Sequence, residues 1–187
     1  QDPPAFTSKA ILQDGNGIYT YKWQVSLNNS LYTLPANTYN TDGYTPPPAL
    51  VVTSWYRRTV TSGRCIDSAA SAIVKITVLP LLTNNNILNV PPDICYGMTF
   101  TNLTATNAPT LSGGDNSYKF KWESSINGTT WITATGVNNL VGYNPDELSA
   151  SFPGNEYYHR IVYSGSNDVC VNTSTSVLLK DFPVITN

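Results

Sequence analysis

Charge is scarce in this chain of 187 residues: 12% are Asp, Glu, Lys or Arg, and the net charge is −2. That excludes a nucleic-acid partner held by neutralising phosphates. No uninterrupted apolar run approaches the roughly 20 residues of a membrane helix, so no membrane span is expected. The good helix formers are few, with a single Met, which argues against a helical fold. One His and three Cys leave little for acid–base or metal chemistry. What is present is 41% hydrophobic and 11% aromatic residues, enough to fill a core and exclude disorder. Asn, Ser and Thr supply 60 residues, beside 13 Pro and 12 Gly. This is an all-β composition, rich in turns.

Self-similarity sets the domain count. Tyr19-Thr-Tyr-Lys-Trp23 recurs as Tyr118-Lys-Phe-Lys-Trp122, each after a Gly/Asn/Asp turn. Tyr44-Thr-Pro46 recurs as Tyr143-Asn-Pro145, and Trp55-Tyr-Arg-Arg-Thr-Val60 as Tyr157-Tyr-His-Arg-Ile-Val162. Cys65 and Cys170 follow in turn. Two homologous domains are expected, 1–82 and 83–187, joined by a short linker that favours a semi-rigid rod. Ile73–Val78 reads as the last strand of the first and Ile87–Val90 as the first strand of the second. The closing segment from Asp181 resembles the end of domain 1 as it runs into domain 2, so a longer array is expected.

Tyr21 and Trp23 share one face of a period-2 strand, opposite Lys22 and Gln24; Phe120 and Trp122 repeat this opposite Lys121 and Glu123. One face on a core and one in water is the expectation, with both Trp residues inside. Arg58 and Arg160 recur in register and are expected to lie along aromatic rings and bond carbonyls or a carboxylate. Short strands, Gly/Asn/Pro turns and a Trp on an early-middle strand fit two tandem immunoglobulin-like β-sandwiches.

The odd cysteine count has an arithmetical reading. Cys95 precedes Trp122 by 27 residues and Cys170 follows it by 48, so a Cys95–Cys170 disulfide is expected in domain 2. Cys65 matches Cys170, but a partner 27 residues before Trp23 would fall at position −4. Cys65 is therefore expected to lack a partner, with domain 1 incomplete at its N-terminus and one sheet edge open. Disulfide pairing implies an oxidising, extracellular setting.

The series Tyr-x-aromatic-x-Trp122, Gly128-Thr-Thr-Trp131, Tyr143-x-Pro145, Tyr157-Tyr-x-Arg-x-Val162 and Cys170 resembles the Ig-like repeats of large secreted and cell-surface proteins of Bacteroidetes bacteria. In domain 1, Trp131 finds no counterpart in Asn28–Tyr32, and Tyr44 to Tyr56 is three residues shorter than Tyr143 to Tyr158. The resemblance implies a spacer or adhesion module of an exported protein. It also makes Ser68, in Asp67-Ser68-Ala69, a candidate for O-glycosylation. The sequons at Asn28, Asn102, Asn127 and Asn172 carry no such weight in a bacterial protein.

No catalytic set emerges. His159 has no evident partners, no Gly-x-Ser-x-Gly elbow occurs, and Glu123, Glu147 and Glu156 stand apart. No His/Cys spacing suits zinc, and Asp14/Asn16 and Asp115/Asn116 are better explained as turn residues. The chain is expected to be no enzyme and to need no cofactor. Its expected role is structural or adhesive, its partners other domains of the same chain, further copies joined by strand addition, or surface glycans. The alternative is a carbohydrate-binding module of a secreted enzyme, with Trp55, Trp131 and Tyr157 as an aromatic contact surface.

Overall fold

The computed structural model describes residues 2–7, 11–66, 72–145 and 154–186. It is all-β, its strands arranged in several sheets. The chain divides into two compact units, Gln1–Val78 and Leu79–Asn187. Among the described residues no helix is long and apolar enough to cross a membrane.

Unit 1 is built on β1 (Thr20–Ser26) and β2 (Ser54–Ser62), with β3 (Cys65–Ile66) and β4 (Val74–Ile76) both paired to β2. Along β2 the odd and even positions separate cleanly. Ser54, Tyr56, Arg58, Val60 and Ser62 are buried, and the residues between them are half-buried. Such alternation follows from the two-residue period of a strand. Trp23 sits opposite Arg58 in the antiparallel β1–β2 register. Trp23, Tyr44 and Tyr56 form the core with Phe6 packed on it. Each large side chain so buried contributes about 1.5–3 kcal/mol. The indole N–H of Trp23 donates to the Thr41 carbonyl at 3.1 Å, which removes the cost of burying a bare donor. Phe6 and Tyr44 exchange two backbone hydrogen bonds, 2.7 and 3.1 Å. Gly43 makes this approach possible, because a Cβ there would lie 2.8 Å from the Phe6 carbonyl oxygen.

Unit 2 repeats the plan and enlarges it. Its strands are β5 (Ile87–Asn89), β6 (Ile94–Cys95), β7 (Thr104–Ala105), β8 (Tyr118–Ser125), β9 (Ile132–Thr133), β10 (Asn155–Ser164), β11 (Cys170–Thr173) and β12 (Val177–Phe182). One sheet runs β6-β12-β10-β8-β9, with β11 also on β10, and β5 pairs with β7 separately. Trp122, Tyr158 and Leu179 from the large sheet meet Ala105 from β7, together with Phe100, Leu103 and Tyr143. Trp122 Nε1 donates to the Leu140 carbonyl at 3.0 Å, the counterpart of the Trp23 bond. Leu103 and Tyr143 exchange bonds as Phe6 and Tyr44 do, and a Cβ on Gly142 would again lie 2.8 Å from the facing carbonyl oxygen. Leu79–Leu82, counted with domain 1 in the sequence, pack within this unit, where Leu82 is buried against Leu111 and Val162.

The expected disulfide is absent. Cys65, Cys95 and Cys170 are all free thiols. Cys95 pairs with Phe182, just beyond the β12 residue that faces Asn155, whereas Cys170 pairs with Ser164. The two cysteines thus lie at opposite ends of β10, whose 10 residues span about 30 Å. A disulfide needs Cα atoms within about 7 Å. Spacing from Trp122 along the chain carries no information about which end of a strand a cysteine reaches. Ser68 lies outside the described residues.

Candidate functional site

The face of unit 2 turned away from the core carries Trp131 and Tyr157, two of the three aromatic residues singled out above. β10 places Tyr157, His159, Ile161 and Tyr163 on it, and β8 places Ser125, Glu123, Lys121 and Lys119 directly opposite. Register therefore sets His159 across from Glu123, and His159 Nε2 lies 3.0 Å from Glu123 Oε2. Lys121 Nζ donates to the other carboxylate oxygen at 2.7 Å. Burial alone would raise the Glu123 carboxyl, but hydrogen bonds and charge from Lys121 and His159 outweigh it and hold it below the usual carboxylate range. The same bond raises the Lys121 ammonium.

Trp131 closes over this pair. Its ring stacks on His159 with centroids 3.7 Å apart and planes 27° from parallel. The loop that carries it is shaped by Asn127, whose Oδ1 accepts from the Thr129 and Thr130 N–H groups at 2.9 and 2.8 Å and from Ser125 Oγ at 3.0 Å. Gly128 has φ +69°, and a Cβ there would meet the Tyr157 ring at ordinary van der Waals distance. Trp131 and Tyr157 are both half-buried.

Unit 1 builds the same brace from different residues. Asn28 Oδ1 accepts from Ser30 N, Leu31 N and Ser26 Oγ, so Asn28 stands at the Asn127 position and Asn29, with φ +59°, at Gly128. Tyr32 then occupies the place of Trp131. The sequence expectation that Trp131 lacks a counterpart is corrected: the shared element is the Asn-centred turn, which tolerates either Gly or Asn at its left-handed position. Arg57 replaces His159, lying 3.9 Å over the Tyr32 ring centroid and donating from Nε to Gln24 Oε1 at 3.0 Å. Gln24 in turn stands at the Glu123 position. Trp55, at the Tyr157 position, is half-buried, with Lys75 Nζ 5.4 Å from its ring centroid.

The paired arginines face inward. Arg160 is 0% exposed. Its Nε and Nη2 both donate to Asn85 Oδ1, at 2.9 and 2.7 Å. Nη1 donates to the Val141 carbonyl and Nη2 to that of Thr106, each at 3.0 Å. Burial lowers its pKa to about 10, so it keeps its charge at neutral pH. Arg58 donates to the Asp42 carbonyl at 2.8 Å and pairs with the Asp42 carboxylate. Its guanidinium lies over Tyr21 and Trp23. Both arginines tie a long central strand to the loop that delivers the core tyrosine.

Among the described residues no three His, Cys, Asp or Glu side chains gather as a metal would require. Asp14 and Asn16, and Asp115 and Asn116, shape turns: Asp115 accepts from Ser164 Oγ at 2.8 Å and Ser117 N at 3.0 Å. Along the chain Glu123 and His159 stand far apart, and only cross-strand register, a long-range property, makes them partners. The alternation of Lys121 and Glu123 opposite His159 and Ile161 was the available signal.

No curated protein matches the chain. A family model described as a domain of unknown function, DUF8696, matches twice, over residues 5–80 and 84–180. With nearly the whole length covered in two successive matches, the chain belongs to the DUF8696 family.

Proposed function

We propose that the chain is a pair of immunoglobulin-like β-sandwich repeats from a long secreted or cell-surface bacterial protein, working as a spacer, adhesive stalk or filament component. The observation that carries this reading is the use made of the outward aromatics. Trp131 is stacked on His159, Tyr157 is half-buried with its ring facing the Gly128 backbone, and Trp55 is beside Lys75. The brace recurs in unit 1 with Tyr32, Arg57 and Gln24. A position that changes from Trp–His–Glu to Tyr–Arg–Gln while keeping its geometry serves the fold rather than a particular ligand. Weak net charge and a composition rich in turn residues suit an extended array. A buried Trp on a central strand, packed on a Tyr from the facing layer, supports the immunoglobulin-like assignment.

The carbohydrate-module reading calls for an aromatic face open to solvent, and these three rings are each half-buried. Two measurements on the native protein test the proposal. Surface-specific labelling of intact cells should modify the chain, and a panel of polysaccharides should not retain it. Labelling only after lysis would overturn the surface reading. Saturable retention lost in Trp131→Ala would establish the carbohydrate reading instead.

A further inference from the structure

Ahead of β5 in unit 2, an extended segment is laid onto the turn that precedes β8. Thr83 and Ser112 exchange backbone hydrogen bonds of 2.9 and 3.3 Å, and Gly114 N donates to the Pro80 carbonyl at 2.8 Å. Between these anchors Leu82 is buried with Leu111 and Val162, against Tyr118 and Cys170. Unit 1 has the same seat. Its Asn16 Oδ1 accepts from Ser62 Oγ and Ile18 N as Asp115 accepts from Ser164 and Ser117. Tyr19 Oη donates to the Asp14 carbonyl as Tyr118 Oη donates to that of Gly113. Leu12, Tyr19, Val60 and Cys65 therefore stand where Leu111, Tyr118, Val162 and Cys170 stand. In unit 1 they line an open cavity of about 280 Å³ with Ile66 at its rim. Leu111 is 1% exposed, whereas Leu12 is half-buried and Cys65 exposed.

Strand register supplies a matching occupant. Val74 pairs with Tyr56 as Val177 pairs with Tyr158, and Ile76 with Ser54 as Leu179 with Glu156. Counting onward from these pairs, Pro80-Leu81-Leu82-Thr83 falls on Pro183-Val184-Ile185-Thr186. Ile185 is 93% exposed and Val184 54%.

We propose that the unit 1 cavity is a docking site for the Pro183–Thr186 segment of a second copy of this chain, with Ile185 filling the place that Leu82 fills in unit 2. The contact joins two different surfaces, so each copy can both give a segment and receive one. It adds a short strand to an existing edge and seats one apolar side chain in a pocket. The proposal deepens the array reading by naming what joins one copy to the next. One difference sets its strength. A Cβ at Gly113 would run into the Leu81 carbonyl oxygen, and unit 1 carries Asp14 there. The docked segment is held farther out, and Asp14→Gly, at a position with φ +69° that glycine adopts freely, tightens it.

The test uses the full chain carrying Ile185→Asp as receiver, titrated with a peptide of residues 181–186 and followed by amide NMR. The expected result is saturable shifts at Leu12, Val60 and Cys65 and slower maleimide labelling of Cys65. Asp14→Gly in the receiver binds several-fold more tightly, and Ile185→Asp in the peptide weakens binding about tenfold or more. The wild-type chain sediments with concentration-dependent association that the Ile185→Asp chain lacks. No saturable shift at millimolar peptide, shifts indifferent to the peptide substitution, or identical sedimentation of the two chains would overturn the proposal. Failure here leaves cell-surface labelling untouched, and failure of that labelling leaves peptide binding untouched.

Discussion

Arg160 shows how a charge is kept inside a small β unit with no carboxylate against it among the described residues. Neutral acceptors, the Asn85 side chain, the Val141 and Thr106 carbonyls and the Thr106 hydroxyl, surround its guanidinium. Arg58 instead pairs with Asp42, whose side chain is 58% exposed. Removing Arg160 leaves several buried acceptors unsatisfied, so Arg160→Met is expected to cost about 3 kcal/mol in denaturant unfolding, and Arg58→Met about half as much. Equal or negligible losses would contradict this assignment. Glu123 makes a second residue-scale case. Its folded pKa lies below the unfolded one, so its contribution is complete above about pH 5 and is lost as pH falls through the depressed value. Glu123→Gln should flatten the acid limb of the thermal-stability profile while lowering stability at neutral pH.

At the scale of elements, the repeat was legible because it rests on local patterns. The Tyr-x-aromatic-x-Trp runs became β1 and β8, and the Tyr-x-Arg-x-Val runs became β2 and β10. Two features were hidden for physical reasons. The Tyr32–Trp131 correspondence depends on a turn defined by Asn28 and Asn127 as acceptors, which composition at the following position conceals. The separation of Cys95 from Cys170 depends on strand direction: β6 runs parallel to β12 at one end of β10, and β11 pairs at the other. Close backbone approach is a further element-level property. Gly43 and Gly142 each face a carbonyl oxygen where a Cβ would lie 2.8 Å away. The obstacle is backbone, so Gly142→Ala is expected to destabilise unit 2 by roughly 1–3 kcal/mol by forcing the Leu103–Tyr143 bridge apart. Gly43→Ala should do the same to unit 1, and thermal unfolding of the two variants measures both effects.

At the scale of the whole molecule, each compact unit has its own aromatic core. Free thiols in place of a disulfide leave packing, hydrogen bonds and ion pairs to hold each unit. In the array proposed above, extension would be resisted one unit at a time. Single-molecule stretching of the chain between inert handles tests this most directly. Units of Gln1–Val78 and Leu79–Asn187 predict two separate unfolding events, releasing about 28 and 39 nm of chain at roughly 3.6 Å per residue. The two lengths should not change under reducing conditions. One cooperative event spanning both units, or release lengths that grow on adding reductant, would contradict the account.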